Sequence, residues 1–332
     1  MEIQKTEAVS GQEEGGKENR SHITTFLSAK NLAFFLIFVA FLPVPYVASG
    51  YVVSLLASIF VAGVLAASWN LMAGFCGYVS FGHQVFFGVG SYTAAILVTS
   101  FNLGEESLLY SILLGGIVSS AIAFAFGYPA LILRGPYFSI LTLGFSEMMY
   151  VIMVNTPWFG GAEGLNLPPV YILPKYYTIT LIVFVVCFMF LYWMRKSKFG
   201  FALSSIRQDE DAAESSGIPT HLYKILAFAV AAFFPGVIGA AYVWYITYID
   251  AVAAFQLHLV VEMIAITMFG GLGTVVGPLI GAFFFVLLSE LLWASMPELY
   301  LVVLGVIIVV MIRYMPRGVV VHVLEALKIK HV

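Results

Sequence analysis

Hydrophobic positions along this chain come in long runs, neither alternating with polar ones nor returning every third or fourth residue. Ten runs, at roughly 31–49, 51–73, 79–100, 108–126, 137–154, 177–194, 222–246, 258–273, 275–293 and 298–314, approach the ~20 residues that a helix needs to cross a bilayer. Lipid offers the backbone no hydrogen-bond partner, so such runs predict helices. The expected fold is all-α: a polytopic membrane protein of about ten transmembrane helices filling 31–314. Pro43 and Pro45 make the first run irregular, and the gaps at 73–79 and 273–275 are the tightest. The stretches 51–154 and 222–314 each hold four runs and enter from opposite faces, which is the pattern of an inverted repeat.

Composition strengthens this picture. Hydrophobic residues make up 61% of the 332 and charged residues 10%, against about 45–50% and about 25% in soluble domains. The few basic residues then set the orientation, because short cytoplasmic loops carry the Lys and Arg excess. With the N-terminus inside, Lys5, Lys17, Arg20 and Lys30 are cytoplasmic, as are Arg134, Arg195, Lys196, Lys198, Arg207 and Lys224. Arg313, Arg317, Lys328 and Lys330 follow, and Lys175 alone falls outside. Both termini are thus expected in the cytoplasm of a cell whose inner (plasma) membrane holds the protein. Residues 1–30 are polar, Glu- and Gly-rich and without a cleavable signal pattern, so they read as a disordered cytosolic tail; 315–332 read as a second tail. Cys76 and Cys187 lie in separate apolar segments and suggest neither a disulfide nor a metal site.

Polar groups inside the apolar runs are the candidates for function. Charged side chains at membrane depth cost roughly 2.5–3.5 kcal/mol and tend to face a bundle interior or a wet cavity. The stretch "GYVSFGHQVFFGVGSY" (77–92) carries four glycines with Ser80, His83 and Gln84 among Phe81, Phe86 and Phe87. Gly88 and Gly90 suit close helix packing. Gly77 and Gly82 suit an interrupted helix, which marks substrate sites in transporters. Glu147, in "LTLGFSEMMY", lies in mid-run; Glu262, Glu290 and His258 lie nearer to run ends, where interfacial water is in reach. Ser80, Gly82, His83, Gln84 and Glu147 are therefore the candidate path residues. "GGLGTVVGP" (270–278) reads as a tight turn between adjacent spans, with a role in the path as the alternative, and 155–177 as an ordered outer loop suited to docking.

The longest inner connection reads "RKSKFGFALSSIRQDEDAAESSGIPTHLYK". Asp209 can cap a helix whose first turn holds Glu210 and Asp211. Gly217 supplies a stop and Pro219 forbids continuation. Arg207 is placed to cap that helix or to pair with Asp211 four residues on. The loop (195–221) fits either a solvated connection or a docking helix with a small face at Ala212 and Ala213.

"FGFALSSIRQDEDAAESSGIPTHLYKILAFAVAAFFPGVIGAAY" resembles a segment of the permeases of branched-chain amino acid ABC importers. "NLMAGFCGYVSFGHQVFFGVGSYTAAIL" (70–97), "LRGPYFSILTLGFSEMMYVIM" (133–153) and "MFGGLGTVVGPLIGA" (268–282) resemble that family's other signatures in the same order. The resemblance covers roughly 50 to 315 and is closest to the longer of two paired permease subunits. It implies the ten-helix ABC importer permease type, with a second permease subunit, two cytosolic ATPases and an extracytoplasmic substrate-binding protein as partners, and membrane lipid around it. It implies that Arg207, Glu210, Ala212, Ala213 and Gly217 belong to the coupling helix that meets the ATPase, and that an acid belongs at Glu147. The chain has no G-x-x-x-x-G-K-[ST] loop, so ATP chemistry is expected from partners. No catalytic residues, cofactor, metal or nucleic-acid partner are expected. A urea or short-amide permease shares these signatures. An ion-coupled carrier using Glu147 and His83 is the rival from another class, and the loop 195–221 argues against it. A membrane enzyme is weaker still, since no H-E-x-x-H, paired acids or Ser-His-acid order stands out.

Overall fold

The computed structural model describes residues 40–101 and 103–314. The chain divides into two units, Met1–Ser49 and Gly50–Val332. The described part of the first includes a short helix, Val44–Val47, with Pro43 at its N-cap. Residues 31–39 of the expected first span, and both tails, lie outside the described residues.

The second unit is helical almost throughout, as the apolar runs predict. Its helices are α1 (Gly50–Asn70), α2 (Gln84–Phe101), α3 (Leu108–Ala130), α4 (Pro136–Asn155), α5 (Leu173–Lys196), α6 (Lys198–Gln208), α7 (Glu210–Ser215), α8 (Thr220–Ile246), α9 (Ala251–Phe255), α10 (Leu257–Gly270), α11 (Gly277–Ser295) and α12 (Tyr300–Tyr314). Two two-residue strands, β1 (Leu165–Asn166) and β2 (Tyr248–Ile249), pair antiparallel, Leu165 opposite Ile249. Eight helical segments among the described residues are long and apolar enough to span a bilayer. The expected tenth span is α12, of 15 residues.

α8 runs through the middle and packs on α3, α2, α5 and α1. Small residues make these crossings possible, because helices approach closely only where side chains are short. A Cβ on Gly90 of α2 would collide with the backbone of Gly236 on α8, and one on Gly115 of α3 would press Ala240 at 2.7 Å. Ser91 Oγ donates to the Gly239 carbonyl at 2.8 Å, and Trp244 Nε1 to Ser111 Oγ at 2.9 Å. Gly90→Val is therefore expected to lower the melting temperature and the yield of folded protein sharply. Overpacking of this kind costs about 1–3 kcal/mol, and more where backbone meets backbone. Gly144→Val, with nothing within 4 Å of its new Cβ, should leave the melting temperature unchanged in the same detergent assay.

The connections segregate to two ends. One end gathers 77–83, 131–135, 197–219 and 271–276, tied by Arg207 to the Gly74 carbonyl, Lys224 to the Leu131 carbonyl, and Asn70 to Gly273 and Thr274. The other gathers β1, β2, α9 and the loop after α4, with Lys175 paired to Glu105. "GGLGTVVGP" is the tight turn expected, with Gly271 and Gly273 at φ 118° and 79°.

Candidate functional site

The first spanning helix does stop at the glycine-rich stretch. α1 widens into a π-helical turn over Leu71–Cys76 and ends at Gly77, whose φ of 85° is the left-handed region open to glycine. The chain is then non-helical as far as His83, so α2 begins about five residues later than the apolar run suggests. Buried backbone groups outside a helix need partners, and this break has them. Tyr78 N–H donates to the Met72 carbonyl at 2.9 Å and Phe81 N–H to Thr142 Oγ1 at 3.0 Å. The carbonyls of Val79 and Ser80 accept from Ser139 Oγ at 2.7 Å and Trp69 Nε1 at 2.8 Å. A Cβ on Gly82 would collide with the Thr142 carbonyl, so glycine is required there by contact with α4.

Ser80, His83 and Gln84 are all fully buried within this chain. Gln84 Nε2 donates to Ser146 Oγ at 2.7 Å. The His83 contact follows from Pro235 inside α8. Proline has no N–H, so the Ala231 carbonyl four residues back loses its helical donor. Ser68 Oγ donates to that carbonyl instead and lies 2.8 Å from His83 Nε2. With the Ser68 proton used, His83 Nε2 must be the donor to Ser68, which places the histidine proton on Nε2. His83 Nδ1 and Gln84 Oε1 have no partner among the described residues. The break is thus a seat for α4, with Ser139, Thr142 and Ser146 all on it.

The inner loop folds as two helices. Asp209 caps α7, accepting from Ala212 N–H at 3.0 Å, and Gly217 stops it at φ 86°. One expectation is overturned: Arg207 does not pair with Asp211. The backbone turns at Asp209 (φ −159°, ψ 111°), which puts the two on different helices. Asp211 is 2.6 Å from Arg134, and Arg207 reaches the Gly74 carbonyl in the π-helical turn. Of the two alanines, Ala213 is buried and Ala212 exposed.

Glu210 is the centre of this end. Its side chain, 12% exposed, faces Lys224 Nζ at 2.6 Å, with Lys224 3% exposed. Lys224 also donates to the Leu131 carbonyl at 2.8 Å and to Tyr78 Oη at 3.0 Å, which uses all three of its protons. Tyr78 in turn donates to Glu210. Burial, and then the bond to Glu210, hold the Tyr78 phenol above its ordinary pKa, so it remains a donor.

Glu147 stands apart from these groups. Phe138, Thr142, Phe145, Ser146, Met149 and Met153 form the buried face of α4. Glu147 lies on the opposite face, exposed in mid-helix with Ile140, Leu143, Met148 and Val151. Glu290 accepts from Tyr51 Oη at 2.9 Å, and His258 is exposed.

Residues 51–312 match the model of a family described as the permease component of the branched-chain amino acid transport system. The chain belongs to this permease family. Over 299 residues it is 27% identical to the high-affinity branched-chain amino acid transport system permease protein LivM of Salmonella typhimurium, covering 80% of this chain and 69% of the relative. The LivM of Escherichia coli K12 is 26% identical over 300 residues, covering 81% and 69%. No solved structure matches significantly. The family is one of transport permeases, not of enzymes.

In this permease, the residues that sequence reading missed are Tyr78, Arg134 and Lys224, which hold Glu210, and Ser68, which holds His83. Pro235 was the available signal for Ser68, because a proline within a membrane helix requires a substitute donor for the carbonyl four residues back. Nothing local marks the others: Lys224 lies 146 positions from Tyr78.

Proposed function

We propose that the chain is one permease subunit of an ATP-driven importer and forms, through α4, one wall of the path for branched-chain or related amino acids. The names of the two relatives favour these substrates over urea or short amides. The observation that carries the path assignment is Glu147, an exposed carboxylate in the middle of a spanning helix. A charge there facing lipid costs roughly 2.5–3.5 kcal/mol, so water or protein covers this face, and the second permease subunit is the partner that fits. Ser80, Gly82, His83 and Gln84 support the wall from behind.

The end bearing α6 and α7 faces the cytoplasm, with both termini. Arg134, Arg195, Lys196, Lys198, Arg207 and Lys224 collect there, and Lys175 lies at the other end, as expected when the basic residues stay inside. α7 is the handle for the ATPases. Ala212 is its contact surface, Gly217 ends it, and Arg207, Glu210 and Ala213 fix it to the bundle. A binding protein delivers substrate to the opposite end, near 156–172.

Ala212→Trp tests the handle. The complex of this chain, its second permease subunit and the two ATPases should insert normally but no longer copurify with the ATPases, and leucine uptake into proteoliposomes should fall more than about tenfold, the loss of ~1.4 kcal/mol or more of coupling. Copurification and uptake at the wild-type level would show that α7 is not the docking helix.

A further inference from the structure

At the end opposite α7, a cavity of about 340 Å3 lies between α1, α5, α8 and α10, under β2 and α9. Its size is at the lower end of the ~300–1,000 Å3 that small-molecule pockets occupy. Leu65, Leu259, Met263 and Ile266 give it an apolar wall. Six polar side chains interrupt that wall, Ser58, Tyr176, Tyr242, Tyr248, Gln256 and Glu262.

Glu262 makes no hydrogen bond or ion pair among the described residues, and His258, one turn earlier on α10, acts on it electrostatically. An ionisable group inside a membrane span is normally paired or faces water. Among the described residues this one is paired with nothing, and it faces a cavity. Two of the tyrosines are held by their rings: Tyr176 stacks on Tyr245 at 4.5 Å with the planes 4° apart, and Tyr242 lies 5.4 Å from Phe87. Neither hydroxyl has a hydrogen-bond partner among the described residues. A carboxylate, aromatic faces and two free hydroxyls beside an aliphatic wall are what an ammonium group on a short branched chain requires.

We propose that this cavity is a binding site for a small apolar amino compound, with Glu262 receiving its ammonium group. The aliphatic wall takes the branched side chain, and the Tyr176 and Tyr242 hydroxyls take the carboxylate when the ligand is an amino acid. α9, which roofs the cavity, also packs on α2 and α4. One short helix therefore separates the site from the wall that carries Glu147. The ammonium chemistry stands on the cavity alone; only the identity of the cargo rests on the importer reading.

The test uses the full chain with its second permease subunit in phosphatidylcholine nanodiscs. Ala253, exposed at the cavity, is replaced by Cys (A253C); the native Cys76 and Cys187 are buried and remain. Maleimide alkylation is timed with 3-methylbutylamine, leucine or 4-methylpentanoate. The amine and leucine should slow alkylation about tenfold at ten times their dissociation constants, and the acid should not. Glu262→Gln in the A253C background should abolish protection while leaving the unliganded rate unchanged, which also shows that the variant is folded. Equal protection by the acid, or protection that survives Glu262→Gln, overturns the proposal. So does slow alkylation in phosphatidylethanolamine nanodiscs without ligand that Glu262→Gln relieves, since the occupant is then a lipid amine. Leucine uptake by the wild-type complex separates the two readings. Uptake without protection discards this site alone, and absence of uptake discards the importer reading whatever the cavity binds.

Discussion

Replacing Glu210 by Ala is expected to destabilise the folded chain by about 3–5 kcal/mol, the usual cost of removing one partner from a buried ion pair. Lys224 is the reason. Its ammonium group is almost wholly inside the protein and is neutralised by Glu210 at 2.6 Å. Without that carboxylate it retains only the Leu131 carbonyl and the Tyr78 hydroxyl, which solvate but do not neutralise it. Tyr78 simultaneously loses its acceptor. Arg134, whose Nε is 3.6 Å from Glu210, retains Asp211 and so contributes little to the loss. Thermal unfolding in detergent and the yield of monodisperse protein measure the effect.

The double variant Glu210→Ala with Lys224→Met separates charge burial from general damage. It removes both ions and keeps an apolar chain in the Lys224 position, an exchange that is often neutral or stabilising. It should melt close to the wild type. Uptake should nevertheless stay low, because Glu210 is also what joins α7 to Tyr78 at the start of the helix break. A single variant as stable as the wild type, or a double variant no more stable than the single one, would show that the pair does not bear this load. Full uptake by the stable double variant would show that the tie between α7 and Tyr78 is not used in coupling.

The contrast between Asp209 and Arg207 explains what the sequence disclosed. Asp209 caps α7 and Gly217 ends it through bonds reaching three or four residues, so residue type and spacing suffice to predict both. The Arg207–Asp211 pairing assumed one continuous helix through Asp209. The cap that starts α7 is also what breaks that continuity, so one correct local reading undid another. The helices were legible because membrane thickness dictates run length. The break at 77–83 was legible as an interruption but not in extent: Phe81 to His83 are as apolar or small as a helix allows, and only Ser139, Thr142 and Trp69, far along the chain or across a turn, supply the bonds that keep them unwound. The Glu210 cluster joins four separate segments and leaves no periodic trace in any of them. Glu262 was read as interfacial from its position near a run end, a reading that sees depth but not the cavity beside it.

Glu147→Leu should reduce leucine uptake by the reconstituted complex more than about tenfold, at least ~1.4 kcal/mol of barrier, with insertion, melting temperature and ATPase copurification unchanged. The argument turns on which surroundings this side chain has. Were the exposed face of α4 against lipid, leucine there would be the better residue by roughly 2.5–3.5 kcal/mol, and the variant would melt higher and transport normally. Were it a packing face against a helix of its own chain, Glu147 would be buried, and the buried face of α4 lies on the other side. A wet path between two subunits gives a third result: little change in stability, because water solvates the carboxylate as well as it would elsewhere, and a large change in transport, because an ammonium-bearing cargo loses its one anionic contact on this wall. Glu147→Gln should fall between wild type and Glu147→Leu in uptake, since it keeps the hydrogen-bonding oxygen and loses the charge. A Glu147→Leu chain that is more stable and transports at the wild-type rate would move the path off α4, and the cavity at Glu262 would then be the next site to test for the cargo.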